Sequence, residues 1–213
     1  MARKTSGGLV ALVALVALML AACTAPGGVG ISGLDGLGGL GGSAAPTGQS
    51  RDCWVLADSR GMSTQPNSSA DGGIIGWAPY VNGCVNYSQG GQGFTVKGMY
   101  GSTLSEWFTG LTSEYGLPTK VYVSEGVNDA IQGHDARQAA AAFHQMLDSL
   151  GVQQVWATAP YVADPYTSAN PALVDLNASL TWAKDCAGPD PDPNTFDGVH
   201  ITNAGAFAGC ITG

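Results

Sequence analysis

The chain has 213 residues, 16 of them acidic and 8 basic, and carries a net charge of −8. No basic cluster lies beyond Arg3 and Lys4, so the electrostatic footprint needed to hold a phosphate backbone is missing and nucleic acid is excluded as a partner. The acidic balance otherwise fits solubility outside the cell.

In chain order, the first feature is an export leader. Arg3 and Lys4 precede an uninterrupted apolar run from Leu9 to Leu20, and Ala21-Ala22 are small residues ahead of Cys23. At about a dozen residues the run is too short to cross a bilayer. Leu20-Ala21-Ala22-Cys23 resembles the bacterial lipobox, which implies cleavage after residue 22 and a lipid on Cys23, anchoring the protein to the outer face of the cell membrane or envelope. The alternative is a cleaved secretory signal with Cys23 as a bystander. Residues 23–50 are nearly all Gly, Ala, Ser, Pro and Leu, a composition that cannot bury enough apolar surface to offset ordering entropy and reads as a tether. Residues 51–213 match the size of one domain with one core.

Apart from Cys23 there are four cysteines, Cys53, Cys84, Cys186 and Cys210, an even number in a chain that leaves the cytosol. Three pairings are open. Cys53 and Cys84 each precede a strand-like segment, so neighbouring parallel strands would join them and leave Cys186 for Cys210. Free buried thiols are the other reading. No CxxC pair accompanies these cysteines, and no metal site is expected.

The domain alternates strands and helices. Strands are predicted at Cys53–Ala57, Val81–Tyr87, Lys120–Ser124 and Gln154–Thr158. A helix is predicted over Ser102–Tyr115, with Leu104, Trp107, Phe108 and Leu111 on one face and Gly116 and Pro118 as stops. A second covers His134–Leu150, where apolar residues recur every three or four positions, and a third Ala172–Ala183. After the proline-rich stretch at Pro189, Pro191 and Pro193, a short helix starts near Asn203. This order predicts a mostly parallel, flavodoxin-like sheet covered on both faces, a three-layer α/β/α domain. Ligands in such sheets sit beyond the carboxyl ends of the strands, where Ser59, the Gly90–Gly93 cluster and Asn128 all fall.

Asp197-Gly198-Val199-His200 places a carboxylate three residues before an imidazole, and Ala57-Asp58-Ser59 puts a serine after an apolar run. A serine hydroxyl needs a base to take its proton, and the imidazole needs an acceptor on its other nitrogen. These residues, with Gly91 after the second strand and Gly126-Val127-Asn128-Asp129 after the third, resemble the ordered blocks of the SGNH or GDSL hydrolases. The resemblance spans nearly the whole domain. It implies a Ser59-His200-Asp197 triad, an oxyanion hole from the Ser59 and Gly91 amides and the Asn128 side chain, and no metal or cofactor. It implies hydrolysis of a lipid, acylated-glycan or small acyl ester by a monomer. Its alternatives are an envelope acyltransferase using the same triad and a non-catalytic envelope-binding lipoprotein.

Ala57 stands where the family has glycine, and Arg60-Gly61 replaces an apolar pair. Arg60 is expected as a solvated arginine at a helix start, with contact to a substrate carboxylate or sugar oxygen as its rival role. His134 and His144 are expected at the start and on the surface of their helix. Asp190, Asp192 and Asp197 read as a rigid acidic loop rather than a calcium site. Trp77, Tyr80, Tyr100 and Tyr161 could line a substrate site, although core positions are the expectation.

Overall fold

A computed structural model describes residues 50–65 and 75–213. The expectations for the leader, the tether up to residue 49 and Cys23 lie outside the described residues. Four strands, β1 (Ser50–Ala57), β2 (Cys84–Asn86), β3 (Lys120–Ser124) and β4 (Gln153–Trp156), form one all-parallel sheet in the order β2-β1-β3-β4.

The two-residue period of a strand sorts β1 onto two faces. Trp54 and Leu56 enter one apolar cluster, Val55 and Ala57 the other, and all four are fully buried. Three helices close the first face: α1 (Leu104–Tyr115) through Leu104, Phe108 and Leu111, α3 (Arg137–Ser149) through Ala140, Phe143 and Leu147, and α4 (Asn170–Ser179) through Leu176. The second face is covered by α5 (Ala204–Thr212), with Phe207 and Ile211 against Val55 and Tyr122, and by Trp77 and Ala78. The result is the expected three-layer α/β/α sandwich. A five-residue helix, α2 (Val127–Ile131), follows β3 directly.

Local chemistry sets the element ends. Thr103 caps α1 in a reciprocal box with Glu106, and the helix stops at Gly116, whose φ of 84° suits glycine. The turn at Asn82-Gly83, with φ of 80° at Gly83, shortens β2 to three residues. α3 starts three residues later than the apolar period suggests, because Gly133 turns with φ of 74° and the Asp135 carboxylate takes the Arg137 amide at 3.1 Å. α4 stops at Ser179, not Ala183: the chain leaves the helix at Leu180 so that Lys184 can form a one-residue parallel bridge with Ala157 beyond β4. Cys53, midway along β1, is bonded to Cys84 at the start of the adjacent β2, and Cys186 to Cys210, joining the segment after that bridge to α5.

Candidate active site

The sheet order fixes where a site can form. From β1 the chain moves to β2 on one side and then to β3 on the other, so the crevice at their carboxyl ends is a topological switch point. The segments leaving β1, β2 and β3 are those bearing Ser59, Gly91 and Asn128.

β1 ends at Ala57, and Asp58 caps a single 3-10 turn over Ser59–Gly61 by accepting the Arg60 amide at 2.9 Å. This sharp turn lifts Ser59 to the sheet edge, where its Oγ lies 2.8 Å from His200 Nε2. His200 Nδ1 is 2.6 Å from Asp197 Oδ2. A carboxylate only accepts, so Nδ1 carries the proton and Nε2 is left to accept from the serine hydroxyl. The other Asp197 oxygen accepts the amides of Val199 (3.0 Å) and His200 (2.8 Å), which folds the four-residue motif into one turn. Gly198 is needed there: its φ is +86°, and a Cβ would collide with the backbone of Ala163 and Asp164. Partial burial pushes the Asp197 carboxyl up, but the His200 amide and ring and the Val199 amide outweigh it and hold its pKa below the ordinary value.

The donors on the opposite side come from two loops tied together. The Gln89 amide bonds to Ala57 O at 2.8 Å, and Asn128 Nδ2 donates to Gln92 O at 2.7 Å. Gly91 lies between these ties, exposed and with φ of +71°. An amide nitrogen carries two hydrogens, so Asn128 retains one beyond the bond to Gln92. Asp129 clamps the same loop by accepting the amides of Phe94 and Thr95, both at 2.9 Å.

No family model matches the chain, and no curated protein does. Solved structures do match. A GDSL-like lipase from Bacteroides thetaiotaomicron aligns with a TM-score of 0.52 at 14% identity, over 76% of this chain and 86% of that one. A protein described as lipolytic and of the G-D-S-L family, from Desulfitobacterium hafniense, aligns with a TM-score of 0.52 at 12% identity, over 75% of this chain and 98% of that one. The fold is that of the SGNH hydrolases. At these identities the likeness is one of fold.

Within this SGNH fold, Arg60 departs from the expectation of a solvated side chain. It is only 2% exposed. Its Nε donates to Val199 O at 2.7 Å and its Nη1 to Pro160 O at 2.6 Å, with Tyr161 O at 3.5 Å from Nη2. Buried and bonded to these carbonyls, it is a strut between the serine turn and the histidine loop. Burial lowers its pKa, opposed by Asp58, Asp192 and Asp197.

The burial of two acids, Asp58 and Glu125, is not foreseen from the sequence, because it depends on segments distant in the chain. Asp58 is raised by burial despite Arg60. Glu125, the last residue before Gly126, has both oxygens sealed from solvent. Burial, with Asp58 and Asp129 beside it, pushes its pKa well above the ordinary 4.5, and the Gly126 amide offsets this only in part. An acid whose folded pKa is raised keeps its proton in the native state after the unfolded chain has lost its own, so native stability falls as pH rises past about 4.5. Glu125→Gln removes that slope. Its stability relative to wild type is expected to grow with pH, by up to about 1.4 kcal/mol per unit, in urea melts from pH 5 to pH 8; a constant difference would contradict the raised pKa.

His134 is exposed, and His144 is partly buried with its ring 4.2 Å from Trp182 and Nδ1 3.3 Å from Asp148. Trp77 is core, Tyr161 is half-buried, and Tyr80 and Tyr100 are exposed. Asp190 accepts from Asn170 and Asp192 from Asn194, while Asp197 faces His200. Among the described residues no group of three or more His, Cys, Asp or Glu is placed to hold a metal ion.

Proposed function

We propose that the chain is an exported serine esterase, anchored by lipid at Cys23, that cleaves acyl esters through Ser59, His200 and Asp197. The observation that carries this reading is the unbroken series Asp197–His200–Ser59, at 2.6 and 2.8 Å, on the carboxyl edge of the sheet. Ser59 Oγ attacks the ester carbonyl while His200 Nε2 takes its proton, and Asp197 stabilises the imidazolium and fixes its orientation. The carbonyl oxygen becomes an oxyanion, met by the Ser59 and Gly91 amides and the Asn128 side chain; one such donor is worth about 3 kcal/mol of barrier. His200 returns the proton to the departing alcohol. Water then attacks the acyl-serine, gives its proton to His200, and the acid leaves with Ser59 restored. Two disulfides support placing this chemistry in an oxidising compartment.

A fluorophosphonate probe tests the nucleophile directly, since its phosphorus is captured only by an activated hydroxyl. Mature protein is expected to label at one residue, and Ser59→Ala at none. A folded wild type that stays unlabelled would end the esterase reading and favour a binding role on the same fold.

A further inference from the structure

Resting on the esterase reading, we infer that Met62 and Met99 form the acyl-binding side of the site and select esters of linear apolar acids longer than acetate. Both methionines are fastened to the machinery by their backbones. The Met62 amide lies 3.4 Å from Ser59 O at the end of the serine turn, and the Met99 amide donates to Gly90 O at 3.1 Å. Their side chains converge on the same point. A Cβ built on Gly90 would lie 3.4 Å from Met62 Sδ and 3.7 Å from Met99 Cε, so the two thioethers flank the residue next to Gly91.

The stereochemistry of attack assigns this place to the acyl group. A tetrahedral carbon on Ser59 Oγ has three other substituents. The oxyanion faces Gly91 and Asn128, and the leaving oxygen must be within reach of His200 Nε2 to take its proton. His200 belongs to the side of the sheet beyond β4: Gly198 O accepts the Ala163 amide at 2.8 Å, and Val199 and Pro160 share Arg60. The alcohol therefore departs toward β4, and the acyl carbon is turned toward the β2 edge, where Met62 and Met99 lie. Met99 is 65% exposed and Tyr100 54%, an open apolar strip that contributes nothing to the core. Tyr100 is stacked on Trp107 at 5.4 Å and 13°, which holds the strip in place. Unbranched, polarisable thioethers suit a flexible chain better than a rigid or charged one.

The test holds the alcohol constant and varies the acid: kcat/KM for p-nitrophenyl acetate and p-nitrophenyl octanoate. Each methylene taken from water is worth about fourfold, so wild type is expected to favour octanoate by about a hundredfold if only some of the chain is covered. Met99→Ala and Met62→Ala are each expected to cut the octanoate-to-acetate ratio about tenfold, and Met99→Leu to restore most of it. A purely structural effect would slow both esters together and leave the ratio unmoved, which would overturn the inference. So would a wild type faster on acetate than on octanoate. If Ser59→Ala retains wild-type hydrolysis of both esters, the esterase reading falls as well, whereas loss of hydrolysis in Ser59→Ala with a flat chain-length profile removes the acyl assignment alone.

Discussion

Replacing His200 with alanine is expected to lower kcat for ester hydrolysis by about four to six powers of ten, the range in which a base that works as a unit with its nucleophile fails. Ser59 Oγ has His200 Nε2 as its neighbour at 2.8 Å, so without the imidazole the hydroxyl must attack the ester carbonyl with no base to take its proton, and the departing alcohol receives no proton. Fluorophosphonate labelling should collapse in step with kcat. Asp197→Asn separates the tautomer from the charge: an amide that donates to Nδ1 would force the ring proton onto Nε2, where it blocks acceptance from Ser59, and about ten-thousand-fold is expected. The fold should survive both changes, because the Arg60 bonds to Val199 O and Pro160 O do not involve either side chain. Near wild-type turnover in a folded His200→Ala protein would remove the triad.

The two kinds of sequence signal differ in reach. Short-range pattern sets β3, where five residues at Lys120–Ser124 need no partner to be recognised as a strand, and α1, where Thr103 and Glu106 form a cap three residues apart. The same reasoning reads the Ser59, Asn128 and Asp197-x-x-His200 segments, because each lies at the end of a strand or within one turn. What it misses depends on segments distant in the chain. Nothing around Arg60 announces that its acceptors arrive 100 and 139 residues later, and an arginine beside a serine turn is most simply a solvated one. Glu125 and Asp58 escape for the same reason: each follows a strand and looks like loop material, until the β1–β3 pairing puts both at one sealed edge. The end of α4 at Ser179 is set by the Ala157–Lys184 bridge, a tertiary contact that overrides the apolar period continuing to Ala183.

That buried arginine leads to the largest expected effect on stability. Arg60→Met keeps the volume and removes every donor, leaving the carbonyls of Val199 and Pro160 short of a partner and Asp58 without its cation. Breaking a buried charged group's contacts in this way costs about 3–5 kcal/mol. Activity should fall with it, since Val199 O is one residue from His200 and its loss frees the loop that aims the imidazole. Arg60→Lys is expected to fall between, because an ammonium is a point donor that cannot span both carbonyls from one position as the guanidinium does. The Asp58 partnership adds a signature that lost packing does not have. Burial already raises the Asp58 pKa, and Arg60 restrains it; with Arg60 gone the folded pKa rises further, so the native state holds its proton over a wider range and loses stability as pH climbs above the ordinary carboxylate value. The penalty of Arg60→Met should therefore be larger at pH 8 than at pH 5 in urea melts, and an Asp58→Asn background should flatten that difference. A penalty below about 1 kcal/mol, of the size seen for exposed pairs, would show that the guanidinium does not hold the serine turn to the histidine loop.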